Sequence, residues 1–231
     1  MIFSDWRFWR KDHKAATGLP PDILRWSYTT SSSGTAPYII EKTFHLPGWS
    51  DNAADRLKAA AEGFLKDLNG SLDDPSQKGT PERWAKMMME LTRGHVFKFT
   101  TFPNEKKYDE MVIQVGIPFY SLCEHHLIPF FGTVAIGYIP GKELVGLSKL
   151  ARTVQMFARR LQVQERMTTQ IADFLMKELK PKGVGVIIQA RHLCMEMRGI
   201  EKAGAETTTS CLKGVFLKKE ECRKEFLALI K

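Results

Sequence analysis

The segment Ser121–His126, with the sequence SLCEHH, places one thiol and two imidazoles within six residues. A second histidine and cysteine pair, His192 and Cys194, follows much later in the chain. Cysteine and histidine are ligands that zinc prefers, and a catalytic zinc usually has three protein ligands and one position open to water. We therefore predict a zinc site formed by Cys123, His126 and Cys194.

The two remaining histidines, His125 and His192, are suited to proton transfer. Water at a catalytic zinc becomes nucleophilic near neutral pH, and the reaction then needs a group that carries protons at the reacting atoms. Imidazole titrates in that pH range. A closed structural site is the alternative, with His125, His192 or Cys211 as a fourth ligand, and the spacing alone does not decide between the two.

A cluster of cationic and hydroxyl residues predicts an anion site. The segment GLSKLAR contains Ser148, Lys149 and Arg152 at the start of a predicted helix, where free N–H groups and the helix dipole favour negative charge. Arg198 follows Cys194 closely. Together these residues could hold a polyphosphate, although a solvated helix face is the alternative. The chain has no Gly-x-x-x-x-Gly-Lys-[Ser/Thr] sequence, so a P-loop does not explain the cluster.

Glu165 lies at the start of the next predicted helix, in the sequence QVQER. A carboxylate in this position is often only a partner of the helix dipole. It can also accept two hydrogen bonds from adjacent N–H groups of guanine, and such a buried polar match rejects bases that lack the donors.

The hydrophobic periodicity predicts an α+β fold with an antiparallel sheet, because helices and strands occur in separate runs. Period-two and β-branched segments predict strands, and three-to-four spacing predicts helices. The predicted strands cover 111–115, 130–139, 183–189 and 207–216, and the predicted helices cover 50–70, 80–94, 148–161, 163–175 and 218–230.

The chain has 231 residues with 43% hydrophobic and 26% charged residues, which is typical of globular proteins. Residues 1–48 have a different texture, with aromatic and basic residues, a Ser/Thr tract and several prolines. We predict an N-terminal extension over 1–48 and a catalytic domain over 49–231. The extension either packs its aromatic residues on the body or on a neighbouring subunit, or contacts a membrane surface.

The net charge of +8 comes from dispersed Lys and Arg residues, which disfavours a dedicated nucleic-acid surface. No apolar signal segment opens the chain and no stretch reaches the ~18 apolar residues of a membrane span. We therefore expect a cytoplasmic protein, with neither nucleic acid nor membrane as a partner. In a reducing compartment, cysteines beside histidines are more readily metal ligands than halves of disulfides.

Several motifs, found in the same order over about residues 50–230, resemble the GTP cyclohydrolase I family. They are SLCEHHLIPFFG from Ser121, YIP and GLSKLAR between Tyr138 and Arg152, RRLQVQERMT from Arg159, and RHLCMEMRG from Arg191. The resemblance implies conversion of GTP and water to 7,8-dihydroneopterin triphosphate and formate, the first step of pterin biosynthesis. It also implies the tunnelling fold, with helices on one side of an antiparallel sheet, and a toroidal homodecamer with sites between subunits.

The resemblance also implies a role for each matching residue. Zinc would bind Cys123, His126 and Cys194; His125 and His192 would transfer protons; Glu165, with Gln164 beside it, would bind guanine; and Ser148, Lys149, Arg152 and Arg198 would line the ribose and triphosphate pocket. Ala205 stands where relatives often have serine, which affects only a peripheral contact. The alternative is a catalytically silent regulatory module that binds zinc and a nucleotide or pterin, but the intact His125, His192 and Glu165 disfavour it.

Overall fold

The computed structural model describes residues 25–30, 40–45, 50–93 and 97–231, the first two segments as strands only. Most of the predicted extension, including Trp6, Phe8 and Trp9, lies outside the described residues. Within the described part, no helix combines the length and the apolar character that crossing a membrane requires.

The chain forms nine strands and seven helices in the described residues. The strands are β1 (Arg25–Thr30), β2 (Ile40–His45), β3 (Phe97–Pro103), β4 (Val112–Cys123), β5 (Pro129–Ile139), β6 (Glu143–Val145), β7 (Leu161–Gln162), β8 (Gly183–His192) and β9 (Glu206–Gly214). The helices are α1 (Ala53–Asp67), α2 (Thr80–Thr92), α3 (Leu147–Ala158), α4 (Gln164–Leu179), α5 (Leu193–Glu196), α6 (Val215–Lys218) and α7 (Glu220–Leu229).

A five-stranded sheet with the order β7-β4-β5-β8-β9 carries the predicted site residues. Its pairings are antiparallel, except that the short β7 runs parallel to β4. Leu122 faces Pro129 and Phe130 faces His192, so the end of β4, the start of β5 and the end of β8 lie at the same end of the sheet. We call this end of the sheet, with the turn 123–128 and the segment 192–196, the ligand end.

A second sheet, with the order β1-β2-β3-β6, lies beside the same core. Phe97 and Phe99 of β3 contact Phe174 of α4, with ring centroids 6.3 and 5.3 Å apart, and both belong to the main hydrophobic cluster. The sequence prediction did not include β3, although the burial of Phe97, Phe99 and Thr101 has the alternation of a half-buried strand.

Helices α3 and α4 cover one face of the five-stranded sheet. Alternate strand residues, among them Ile136 of β5 and Val186 of β8, are fully buried with Met167 and Ile171 of α4. This burial on one strand face and one helix stripe is what the period-two and three-to-four patterns predict. The α+β class is confirmed.

Helices α6 and α7 lie on the opposite face, at the end of the sheet away from the ligand end. Gly137 and Gly185 face each other on β5 and β8, and a Cβ on either would lie 2.7–2.8 Å from the ring of Phe226. Phe216 packs edge-to-face on Phe226, with ring centroids 5.3 Å apart. We call these four residues the C-terminal clamp. The prediction that the helices lie on one side of the sheet is therefore correct only for α3 and α4.

The predicted helix starts are shifted by one or two residues. The N-cap of α2 is Gly79 rather than Thr80, and that of α3 is Gly146 rather than Ser148. Differences of this size are usual at helix ends. On α1 the predicted apolar stripe is only partly buried, because Phe64 and Leu68 are 60% and 62% exposed.

Candidate active site

The first part of the site is the turn that follows β4. Cys123, the last residue of β4, donates its backbone N–H to the carbonyl of Ile128 at 3.0 Å and accepts a bond from the N–H of Leu127 at 2.8 Å. Leu127 has a positive φ of 56°, which closes the turn. This tight closure brings Nδ1 of His126 within 3.7 Å of Sγ of Cys123.

The second part of the site is the junction between β8 and α5. β8 ends at His192, and Cys194 lies in the single turn of α5. The guanidinium of Arg191 donates to the carboxylate of Glu196 from Nε at 2.9 Å and from Nη2 at 2.5 Å, which ties the end of the strand to the end of the turn. This ion pair lowers the pKa of Glu196, chiefly through the hydrogen bond from Arg191.

The two parts meet in a group that could hold a metal ion. One ligand atom from each of Cys123, His126 and Cys194 lies within 4.8 Å of the others. Zinc–sulfur and zinc–nitrogen bonds of ~2.3 and ~2.0–2.1 Å in tetrahedral geometry require ligand atoms about 3.6–3.8 Å apart. The 3.7 Å separation between Cys123 and His126 fits this requirement. The donor set, two thiols and one imidazole, also suits zinc.

Among the described residues the group has three members, and the candidates for a fourth ligand lie outside it. Cys211 pairs with Val186 on β8. From Val186 the strand runs six residues further to its end at His192, so Cys211 lies roughly 20 Å from the ligand end. His125 points Nδ1 toward Cys123 at 3.8 Å but is not part of the group. The geometry therefore favours a site with three protein ligands.

Burial raises the pKa of the Cys194 thiol, and the neighbouring Cys123 raises it further. The positive charge of Arg198 acts in the opposite direction, which places Arg198 near the group. The thiolates of Cys123 and Cys194 would repel one another at this distance if both residues were ionised. A divalent cation removes this conflict because it binds the thiolates and displaces their protons.

The ring of His192 is held from two directions. It stacks on Phe130, with centroids 4.7 Å apart and planes at 2°, and its Nε2 lies 2.7 Å from Oε1 of Gln164. Burial lowers the pKa of His192, while the carboxylates of Glu165 and Glu196 raise it to a smaller extent. The lowered pKa favours the neutral form of the His192 imidazole. By contrast, the His125 side chain is 64% exposed.

Polar residues that the sequence prediction missed support the turn after β4. Arg166 of α4 forms an ion pair with Glu124 and donates from Nε to Oε1 of Gln162 at 3.1 Å. The hydrogen bond from Arg166 lowers the pKa of Glu124. Gln162 in turn accepts the N–H of Glu124 on its backbone carbonyl at 3.1 Å. The RRLQVQERMT segment contains these residues, but nothing in their spacing predicts the ion pair with Glu124.

The predicted guanine contact, Glu165, lies in the first turn of α4 and is exposed. Its carboxylate is close enough to His192 to affect the pKa of that imidazole. The neighbouring Gln164 is buried and bonded to His192. Both residues therefore lie at the ligand end.

The predicted anion cluster on α3 lies away from the ligand end. α3 finishes beside the site, since Arg160 accepts a hydrogen bond from Ser121 on its backbone carbonyl and β7 then pairs with Cys123. Ser148 and Lys149 lie at the other end of this 12-residue helix, roughly 15 Å away at ~1.5 Å per residue. Within one chain, Ser148 and Lys149 therefore lie at the end of α3 that is further from the proposed metal ligands.

The fold and the site define a class of protein: an α+β protein with three residues that could hold a metal ion, flanked by two histidines, at one end of a mainly antiparallel sheet. Comparison with known proteins identifies the family. A model of the family GTP cyclohydrolase I matches residues 57–231. The chain belongs to the GTP cyclohydrolase I family.

Curated relatives support the same assignment. The chain is 54% identical over 177 residues to GTP cyclohydrolase 1 of Aquifex aeolicus, which covers 77% of this chain and 96% of the relative. It is 48% identical over 187 residues to that of Chlorobium phaeovibrioides, covering 77% and 83%. It is 49% identical over 182 residues to that of Saccharomyces cerevisiae, covering 76% and 74%. The resemblance found in the motifs is thus confirmed.

Proposed function

We propose that this protein is a zinc-dependent hydrolase that converts GTP and water to 7,8-dihydroneopterin triphosphate and formate. Membership of the GTP cyclohydrolase I family supports the activity. The observation that carries the proposal is the convergence of Cys123, His126 and Cys194, whose ligand atoms lie within 4.8 Å of one another. Zinc bound by these residues would act as a Lewis acid and make water nucleophilic at neutral pH.

His125 and His192 are proposed to move the protons of the reaction. Opening the imidazole ring of GTP requires a proton at N7 and addition of water at C8, which leaves a formamide. A second water releases C8 as formate, and closure of the pterin ring after rearrangement of the ribose returns one water. The neutral imidazole favoured at His192 can receive a proton, and the exposed His125 can exchange protons with water. The two rings flank the ligand group from different turns, so each can serve a different proton.

Glu165 is proposed to hold the guanine base. Its exposed carboxylate lies at the start of α4 on the same side as His192. It can accept hydrogen bonds from two adjacent N–H groups of guanine, an arrangement that adenine cannot match.

We also propose a homo-oligomer in which neighbouring subunits complete each site, and a homodecamer of the tunnelling fold is the expected form. Arg198 lies beside Cys194, whereas Ser148 and Lys149 lie roughly 15 Å from the ligand end of α3 by helix geometry. Family membership supports this proposal, in which α3 of a neighbouring copy of the chain brings Lys149 and Arg152 to the triphosphate held by Arg198.

The cytoplasm is the proposed location, because all four cysteines are free and two of them are the proposed ligands. Thiols remain available to a metal in a reducing compartment.

The activity is tested by incubating zinc-loaded protein with GTP and measuring formate together with the fluorescent product of oxidised neopterin triphosphate. Both products are expected in equal amounts. The His192→Ala variant, loaded with zinc in the same way, is the matched control and should form both at least about 100-fold more slowly. A metal-loaded, assembled wild-type protein that forms neither product would contradict the proposal and favour the regulatory module.

A further inference from the structure

Gln164 has a buried side chain whose two polar atoms are both used within the protein. The residue is 1% exposed. Its Nε2 lies 2.9 Å from the carbonyl oxygen of Thr207, 3.2 Å from that of Ile188 and 3.1 Å from the hydroxyl of Thr209. Its Oε1 lies 2.7 Å from Nε2 of His192. The amide is thus placed between strands β8 and β9 on one side and a histidine on the other.

The surrounding acceptors fix the orientation of this amide. Two backbone carbonyls, those of Ile188 and Thr207, can only accept hydrogen bonds, so the atom of Gln164 that faces them must be the NH₂ group. The opposite orientation would direct the amide oxygen at two carbonyl oxygens, and these acceptors repel one another. Oε1 of Gln164 is therefore the atom that faces His192.

The neighbouring hydroxyls agree with this orientation. The hydroxyl of Thr168 lies 2.7 Å from the backbone carbonyl of Gln164, and so its single proton is used there. Thr209 must then donate to Thr168 across their 2.7 Å contact. The oxygen of Thr209 remains an acceptor, as the NH₂ group of Gln164 requires. The two hydroxyl protons therefore have one consistent assignment, and the two amide hydrogens of Gln164 are shared among three acceptors.

The orientation of Gln164 decides the proton on His192. Because an amide oxygen only accepts, Nε2 of His192 must carry a proton, and in the neutral imidazole Nδ1 is the nitrogen with the free lone pair. The parallel stack on Phe130 fixes the plane of the ring. Within the described part of the chain, no hydrogen bond to Nδ1 of His192 is present.

We propose that Gln164 is a positioning residue, which holds His192 with its proton on Nε2 and its Nδ1 free for the substrate, and is not itself a substrate contact. The sequence resemblance placed Gln164 beside Glu165 in the guanine site, and this proposal gives it a different role in the same reaction. It rests on the proposed function for its effect on turnover. The hydrogen-bond geometry carries the assignment of the proton.

The kinetic test replaces Gln164 by methionine, which has a similar length and no hydrogen-bonding group. Gln164→Met should lower kcat by about 10–100-fold, less than the 10²–10⁴-fold expected for loss of the proton-transfer group itself, and change KM for GTP by less than about 3-fold, since a positioning residue does not bind the substrate. Zinc content should not change. The matched control is Gln170→Met, the same substitution at a buried glutamine of the same helix that bonds Gln162 instead. It should keep kcat within about 3-fold.

A second arm uses the double variant with His192→Ala. If Gln164 acts through His192, then Gln164→Met should not lower the residual activity of His192→Ala any further. A raised KM with unchanged kcat in Gln164→Met would overturn the proposal in favour of a direct contact with GTP. Equal losses of kcat in Gln164→Met and Gln170→Met would overturn it in favour of a general structural role.

A spectroscopic arm separates this proposal from the proposed function, because it needs no turnover and no variant of Gln164. Solid-state ¹⁵N NMR of protein labelled in histidine distinguishes protonated from unprotonated ring nitrogens, and the signals of His192 are those missing in His192→Ala. We expect a protonated Nε2 and a bare Nδ1 in zinc-loaded wild-type protein. A bare Nε2 with a protonated Nδ1 would overturn the proposal, even if the enzyme converts GTP.

Discussion

Strands β5 and β8 have opposite chemistry at their two ends. At the ligand end, Phe130 and His192 face each other, and two turns bring thiols, imidazoles and carboxylates together. At the other end, Gly137 and Gly185 face each other beneath the aromatic rings of the C-terminal clamp. One end depends on hydrogen bonds and ligand geometry, and the other depends on close apolar packing.

The difference suggests that activity and stability can be changed separately. The histidines and Cys194 at the ligand end are exposed or partly exposed, so their removal should affect chemistry more than folding. The clamp is fully packed, so even one added methyl group should affect folding more than chemistry. The following substitutions test this separation, from the largest expected effect to the smallest.

Cys194→Ala should abolish zinc binding and turnover. The variant removes one of three ligands, and a metal held by three residues loses most of its affinity when one is missing. Zinc per subunit, measured by atomic emission after dialysis, should fall to near zero. Cys211→Ala is the matched control and should retain zinc, because Cys211 lies in the middle of β9, opposite Val186. Loss of zinc in Cys211→Ala would show that the ligand set is wrong.

His192→Ala should keep its zinc while kcat falls by about 10²–10⁴-fold, the range expected for loss of a proton-transfer group. Steady-state kinetics with GTP and the zinc content of the same sample test this expectation. Full activity of the variant would contradict the role given to His192. Loss of zinc would instead show that His192 acts as a ligand.

Gly185→Ala should destabilise the fold by about 1–3 kcal/mol, because overpacking of a tight core costs this much. The added Cβ would lie 2.8 Å from Phe226 and 2.9 Å from Phe216. Denaturant unfolding measures the change, and the zinc content and kcat of the folded fraction should remain close to wild type. Gly63→Ala in α1 is the control, since nothing lies within 4 Å of the added Cβ. It should be neutral or stabilising by up to about 1 kcal/mol.

Arg166→Met should weaken zinc binding by about 3–10-fold, less than the 10–100-fold typical of direct partners of a ligand. Arg166 holds Glu124, the residue after Cys123, and so supports the turn without contacting the proposed metal position. Competition with a chelator measures the affinity. Lys182→Met, which removes an ion pair with Asp109 away from the ligand end, should leave it unchanged. Equal losses of zinc affinity in Arg166→Met and Lys182→Met would show that the ion pair between Arg166 and Glu124 has no specific role in zinc binding.

Lys213→Met should have the smallest effect, less than about 0.5 kcal/mol, because its ion pair with Asp173 is partly screened by solvent. The hydrogen bond with Asp173 raises the pKa of Lys213 above 10.5. A raised lysine pKa contributes stability below the unfolded pKa, and this contribution is lost as pH rises through the folded pKa. The stability difference between wild type and variant should therefore shrink as pH rises through the raised pKa of Lys213. A difference that persists at high pH would show that packing causes it.

Much of the ligand end was predictable from the sequence. Cys123 and His126 are separated by two residues, and Cys194 follows a clear apolar strand, so the ligand types and the strand ends were both visible. The periodic segments also predicted the positions of β5, β8, α4 and α7 to within a few residues. Local pattern and ligand chemistry determine these features.

Features that depend on contacts between distant segments were not predictable. Nothing near Gly137 indicates that a ring from α7 will lie on it. The sequence places Lys149 and Arg198 in one predicted pocket, but it does not show that Lys149 lies at the end of α3 further from the ligand end. The bond between Gln164 and His192 likewise depends on how α4 packs against β8. These properties follow from tertiary packing rather than from local sequence.

The most direct test of the metal site is X-ray absorption at the zinc edge of the fully loaded protein. The account predicts two sulfur neighbours at ~2.3 Å and two nitrogen or oxygen neighbours at ~2.0–2.1 Å, one from His126 and one from water. The same spectrum should be obtained for His125→Ala and His192→Ala. Three sulfur neighbours, no sulfur neighbours, or a nitrogen neighbour that disappears in either histidine variant would contradict a site formed by Cys123, His126 and Cys194 with one position open to water.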